Sequence, residues 1–262
     1  GYALSPLVVP VLQTNGFSWK AIYLLIALVN IAILGIVACS RFPEAKSTQD
    51  EKLDLSRVWA LFRHPIVCTY ALGIFLYVGA EVGVSSYIIT FMNEVHHLDN
   101  AQSFSGEASF LYRIFPSKTA LIVALFWLLQ AVGRMVASFL MRFVSERRIF
   151  IFHSACTVIA LLCAIAGNET VSLVAFALTG YFTCVSFTSV FSAVINSFDR
   201  DHGMISGLLG TAIVGGALVG WLVGSVGNRW GMVAGMAVNV PAFLYVFALS
   251  VWGKGRLDVN DN

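Results

Sequence analysis

The chain has 262 residues, 58% of them hydrophobic and only 11% charged, with a formal net charge of +2. Soluble domains carry about 25% charged residues. The composition therefore excludes a soluble enzyme, a nucleic-acid binder and a disordered chain, and it turns attention to where the few charges sit.

The first apolar piece, residues 1–13, contains Pro6 and Pro10 and is too short to span a bilayer alone. It lacks an initiator Met and the basic, apolar and small-residue layout of a signal peptide. It is expected to be the end of a transmembrane helix, and the chain a fragment. Crossing a ~30 Å hydrocarbon core takes about 20 apolar residues. Seven stretches qualify: 19–39, 65–92, 119–141, 149–167, 170–198, 203–226 and 230–252.

Between the first and second spans, residues 40–64 form a mixed-charge linker. Its part 53–63 reads as a surface helix, with Leu53, Trp59, Leu61 and Phe62 on its apolar side. Residues 93–118 form a longer loop with His96, His97 and Asp99. In a polar loop these read as solvated side chains rather than a metal site. Cys39, Cys68, Cys156, Cys163 and Cys184 lack metal-ligand spacing and read as small apolar packing residues.

Taking the loops alternately, one side holds eleven basic residues: Arg41, Lys46, Lys52, Arg57, Arg63, Arg142, Arg147, Arg148, Arg200, Lys254 and Arg256. The other holds four, Lys20, Arg113, Lys118 and Arg229. The positive-inside rule makes the first side, and the C-terminus, cytoplasmic. Four regions follow: the end of one bundle (1–39), a cytoplasmic linker (40–64), a six-helix unit (65–253) and a cytoplasmic tail (254–262). Six spans with both ends on one side make half of a transporter built from two such units. Within 203–227, the pairs Gly203/Gly207, Gly216/Gly220 and Gly220/Gly224 place small residues on one helix face, where neighbouring backbones can approach.

Glu81 is the only acidic residue inside any span. A carboxylate there costs a few kcal/mol, so it faces protein or a water-filled cavity. Tyr77 and Ser85, at −4 and +4, share its face. Glu81 reads as an acceptor of substrate hydroxyls, a proton carrier or both, against a purely structural carboxylate. Arg134 is the lone charge of span 119–141, and Glu81 is placed ~10 Å above it, too far for a direct ion pair. Arg134 reads as snorkelling to the cytoplasmic surface or bracing a gate. Higher on the same helix, Phe126 and Gln130 point the same way, with Gln130 a donor to a polar ligand. Neighbouring Trp127 is either a stacking surface or a lipid-facing ring. Tyr181, Thr188, Ser192 and Asn196 form a second polar stripe. For Ser and Thr this reads as interhelical hydrogen bonding, with Tyr181 a ligand contact and Asn196 a gate element near the cytoplasmic end. His153 reads as packing, and Pro241 as a kink in the last span. Walker and HExxH motifs are absent, so neither an enzyme nor a cofactor is expected.

Tyr77-Val-Gly-Ala-Glu81-Val-Gly resembles the seventh-helix signature of the fucose and glucose/galactose–proton symporter group of the major facilitator superfamily. Gly133-Arg134, with Arg142 and Arg147-Arg148, resembles the connection between the eighth and ninth helices. Ser206-Gly-Leu-Leu-Gly-Thr-Ala-Ile-Val-Gly-Gly216 resembles the eleventh-helix signature. The resemblance covers 1–253, and the loop 93–118 departs from it. It implies an all-α membrane fold of two six-helix bundles, of which this chain holds the C-terminal bundle and the last one and a half helices of the N-terminal one. It implies alternating access and proton-coupled uptake of a monosaccharide by a monomer in a plasma or bacterial inner membrane. It also implies that acids of the N-terminal half carry much of the coupling. A permease for another small solute, a transport-dead sensor and a seven-helix receptor remain as alternatives. Against the receptor, Asn239-Val-Pro241 is not that class's Asn-Pro pair, and the last span has no Lys for a retinal Schiff base.

Overall fold

A computed structural model describes residues 19–40, 55–98 and 118–253, and all the regular structure in them is helical. The helices are α1 (Trp19–Cys39), α2 (Leu55–Phe62), α3 (Pro65–His96), α4 (Lys118–Leu140), α5 (Glu146–Ala166), α6 (Glu169–Thr183), α7 (Ser186–Ile195), α8 (His202–Thr211), α9 (Gly215–Trp230), α10 (Met232–Ala237) and α11 (Asn239–Trp252). A 3-10 turn, Ala212–Val214, joins α8 to α9. Six continuous stretches among the described residues are long and apolar enough to cross a membrane: α3, α4, α5, α6–α7, α8–α9 and α10–α11. They coincide with the last six predicted spans. The first, α1, is an apolar helix whose side chains from Tyr23 to Val37 are exposed. Residues 1–18 and 254–262 lie outside the described set, as do most of the linker and most of the loop after α3.

α3 is the hub, packing on α9, α11, α7 and α4. Its 32 residues rise about 48 Å, more than a hydrocarbon core needs. Pro65 starts it, where a missing N–H costs nothing. It ends one turn later than predicted. His97 takes the left-handed conformation (φ 54°), and the Leu98 N–H donates back to the Met92 carbonyl at 3.3 Å. Leu98 is buried beneath that cap, as hydrophobic residues after such motifs are.

Three of the six spans are interrupted. The last breaks at Val238, where Pro241 denies its ring room against the carbonyl four residues back, at Ala237, the final residue of α10. The break between α6 and α7, at Cys184–Val185, has no proline. There the Thr179 and Thr183 hydroxyls donate to carbonyls of the preceding turn, a pattern that bends helices. Asn239, fully buried at the Val238 break, aims its Oδ1 at Gly83 of α3 and finds no hydrogen-bond donor there. A Cβ on residue 83 would lie 2.6 Å from that oxygen.

Close backbone approach holds the hub. A Cβ on Gly215 would run into the Phe75 carbonyl, and one on Gly79 would meet Val219 at 2.5 Å and the Gly215 carbonyl at 2.9 Å. Gly216, Gly220 and Gly224 face Val82 and Tyr87 of α3, as the small-residue pattern predicted. Gly203 and Gly207 do not join in, for nothing described lies within 4 Å of where their Cβ would be. Of the described cysteines, only Cys184 is buried; Cys156 is half-buried and Cys39, Cys68 and Cys163 are exposed. The surface helix before α3 is present as α2. Trp59 stacks on Phe62 at 5.8 Å and carries the Arg63 guanidinium 5.1 Å above it. Leu53 lies outside the described residues.

Candidate functional site

α3 brings Tyr77 and Glu81 to the same side, one turn apart, as the helical period requires. Two glycine contacts draw the neighbouring helices in. Gly180 of α6 sits directly under the Phe126 carbonyl of α4, and Gly133 of α4 lies where a Cβ would be 2.8 Å from the Tyr181 carbonyl. Gln130, three residues from Gly133, meets the carboxylate of Glu81 on α3.

Glu81 Oε1 accepts two hydrogen bonds, from the Tyr77 hydroxyl at 2.8 Å and from the Gln130 amide. Tyr77 is fully buried and Gln130 nearly so, while Glu81 is half-buried. Oε2 makes no hydrogen bond among the described residues and is not sealed in, so it remains open to a ligand or water. The Tyr77 hydroxyl has a second acceptor, the carbonyl of Thr183 at 3.0 Å. Thr183 is the last residue of α6, where helical carbonyls lose their partners. Arg134 is exposed one turn along α4 from Gln130, within electrostatic range of Glu81, Tyr77 and Cys184. The separation of ~10 Å expected between Glu81 and Arg134 along the bundle is therefore too large. Its bond to Gln130 sets it level with a residue only about 6 Å along the helix from Arg134.

The other candidates are dispersed. Ser85 turns its hydroxyl to the Val82 carbonyl of its own helix, at 3.3 Å. Phe126 was expected to face a ligand. It is instead fully buried, with its ring edge-on to Trp127 at 5.3 Å and its backbone against Gly180, so it packs. Tyr181 stacks on His153 at 5.8 Å, and His153 Nδ1 lies 3.3 Å from the Phe182 carbonyl and 3.6 Å from the Cys184 thiol. The helix break separates Tyr181 from Thr188, Ser192 and Asn196, so the predicted second stripe does not run along one continuous helix face. Ser192 donates to Glu146 at 2.9 Å, tying α7 to α5, and Asn196 caps α7 and is exposed. His96 accepts or donates across 2.9 Å to Ser172, joining α3 to α6. No group of three metal-ligating side chains occurs among the described residues.

Sequence reasoning missed the Thr183 carbonyl, because a backbone oxygen has no residue-type signal. It missed Asn239 as a buried polar group, although an amide just before a proline in an apolar span was a visible clue.

No family model matches the chain. A glucose/galactose transporter of Brucella abortus biovar 1 (strain 9-941) is 26% identical over 226 residues, 86% of this chain and 51% of that protein. The Protein TsgA homolog of Yersinia enterocolitica serotype O:8 is 20% identical over 248 residues, covering 93% of this chain and 58% of that one. The crystal structure of the Escherichia coli fucose:proton symporter FucP superposes with a TM-score of 0.70 at 18% identity, over 90% of this chain and 55% of that chain. A second structure of FucP, a major facilitator superfamily transporter in the outward conformation, matches equally. The chain thus spans about half the length of the curated relatives it matches. It has a partial major facilitator fold and is an integral membrane protein, and the likeness sides with that fold against the seven-helix receptor.

Proposed function

We propose that the chain forms the C-terminal half, and the end of the N-terminal half, of a secondary transporter that carries a monosaccharide with protons by alternating access. The observation that carries this is the Glu81 carboxylate. It lies inside a membrane-length helix, held on one oxygen by Tyr77 and Gln130 and open on the other. A carboxylate is a strong acceptor for sugar hydroxyls, and a buried one is maintained in a span at a cost that function can justify. The glucose/galactose transporter named among the relatives and the named fucose:proton symporter support the substrate class and the coupling.

In this reading Oε2 of Glu81 accepts a hydroxyl of the substrate, and the Gln130 carbonyl is free to take another. The carboxylate takes up the proton. Ser85 lines the path a turn away, and Arg134 and Asn196 act toward the cytoplasmic gate. The protein works as a monomer in the plasma or bacterial inner membrane with its C-terminus in the cytoplasm, as the basic loops favour.

Uptake of radiolabelled hexose by the full-length protein in vesicles, with and without an inward proton gradient, tests this. The gradient should drive accumulation, and Glu81→Gln should abolish it. Hexose uptake indifferent to both the gradient and Glu81→Gln would remove the coupled reading.

A further inference from the structure

The Tyr77 hydroxyl has one proton and two acceptors, Glu81 Oε1 at 2.8 Å and the Thr183 carbonyl at 3.0 Å. It can donate to only one at a time. We propose that Tyr77 is a two-position donor, switched by the charge state of Glu81, that ties this carboxyl to the interruption between α6 and α7. The proposal rests on Glu81 taking up a proton in the reading above.

While Glu81 is ionised, the carboxylate is the stronger acceptor and holds the Tyr77 proton. When a proton from water binds Glu81, the carboxyl becomes a donor to the Tyr77 oxygen. The Tyr77 O–H then turns by rotation about its C–O bond to the Thr183 carbonyl. No bond to carbon changes, and the phenol stays neutral throughout. Thr183 closes α6, so its carbonyl is a group the helix itself leaves unpaired. A donor arriving there strengthens one side of the interruption at Cys184–Val185. Gly133 of α4 packs against that same interruption, at the Cys184 side chain and the Tyr181 carbonyl. One proton is thereby felt at three helices, α3, α4 and α6.

The other groups around the pair are few. From α4 come Gln130 and the Arg134 guanidinium, and from the α6–α7 interruption the Cys184 thiol. α7, α10 and α11 carry no charged residue; α6 has only Glu169, in its first turn, with Tyr181 stacked on His153 of α5 beside Cys184; α9 has only Arg229, in its last turn, and α8 only His202, in its first. Tyr245 of α11 is occupied at the Thr69 carbonyl, 3.0 Å away. Within this neighbourhood Glu81 is the group whose charge sets the Tyr77 proton.

Infrared difference spectra of the full-length protein in lipid, acidic minus alkaline, test this, with ring-labelled tyrosine to pick out tyrosine bands and Tyr77→Phe to assign that of Tyr77 among the eight tyrosines. Wild type should show a protonated carboxyl band together with a tyrosine hydroxyl and ring-mode change. Glu81→Gln should lose both. Tyr77→Phe should lose the tyrosine change but keep the carboxyl band, moved to higher frequency by the lost hydrogen bond. Since Tyr77→Phe deletes one oxygen, circular dichroism should show it folded, and its gradient-driven hexose uptake should fall about tenfold, the worth of one hydrogen bond to a charged group. A wild-type spectrum without a tyrosine change, or a tyrosine change that survives in Glu81→Gln, overturns the switch. A full set of expected bands beside hexose uptake that ignores the proton gradient leaves the switch standing and removes the symport reading alone.

Discussion

α3 meets its neighbours in two contrasting ways. Toward α9 the contact is apolar and held by shape: Gly79 against Val219 and the Gly215 carbonyl, Gly215 under the Phe75 carbonyl, and Gly224 beneath the Tyr87 hydroxyl end. Toward α4 and α6 it is polar and directional, with Glu81 held by Tyr77 and Gln130 and Tyr77 reaching Thr183. In a bilayer, lipid tails are as apolar as side chains, so the first contact depends on close packing and has no hydrophobic force to bring it together. The second depends on donors and acceptors that hydrocarbon could not satisfy. Packing tolerates no extra volume but is indifferent to charge, whereas the polar contact tolerates volume and changes with each proton.

Gly215→Val should do the most damage, since its side chain would enter the Phe75 carbonyl. Overpacking of this kind costs about 3 kcal/mol, readable as a large fall in thermal stability in detergent. A wild-type unfolding temperature would show that α3 and α9 can part freely. Next comes Glu81→Leu, which leaves the Gln130 and Tyr77 donors without their shared acceptor and should cost about 2 kcal/mol. The same unfolding assay checks it, and Glu81→Gln should fall well short of that loss. Gln130→Leu should cost about 1.5 kcal/mol and lower hexose uptake about tenfold, because one bond to a charged group goes. Unchanged uptake would reduce the polar contact to Tyr77 alone. Gly207→Ala has nothing within 4 Å to meet and should raise stability by about 0.5 kcal/mol through helix propensity. A fall instead would place a packing partner at α8.

Much of this contrast was legible beforehand, for definite reasons. The spans show in the sequence because lipid demands long apolar runs. The pairing of Tyr77 with Glu81 shows because four residues make about one helical turn; Gln130 shows only as a donor, read toward a ligand, whereas its amide donates to Glu81. What escaped depends on tertiary placement. The height of Glu81 relative to Arg134 depends on how α3 slides along α4, which no single span records. The acceptor at Thr183 belongs to the backbone. Phe126 and Tyr181 resemble ligand contacts in sequence, but one is buried under Gly180 and the other turns to His153. The spacing of Gly203 and Gly207 matches that of Gly216 and Gly220, yet only the latter pair has α3 beside it.

The unpaired oxygen of Asn239, pressed against Gly83, bears on how related sequences can diverge. Any residue larger than glycine at 83 would strike that amide, since its Cβ would lie 2.6 Å from the oxygen. The two positions lie 156 residues apart yet share one small space. Among descendants of a common ancestor, a larger residue at 83 should therefore appear only where residue 239 has become smaller.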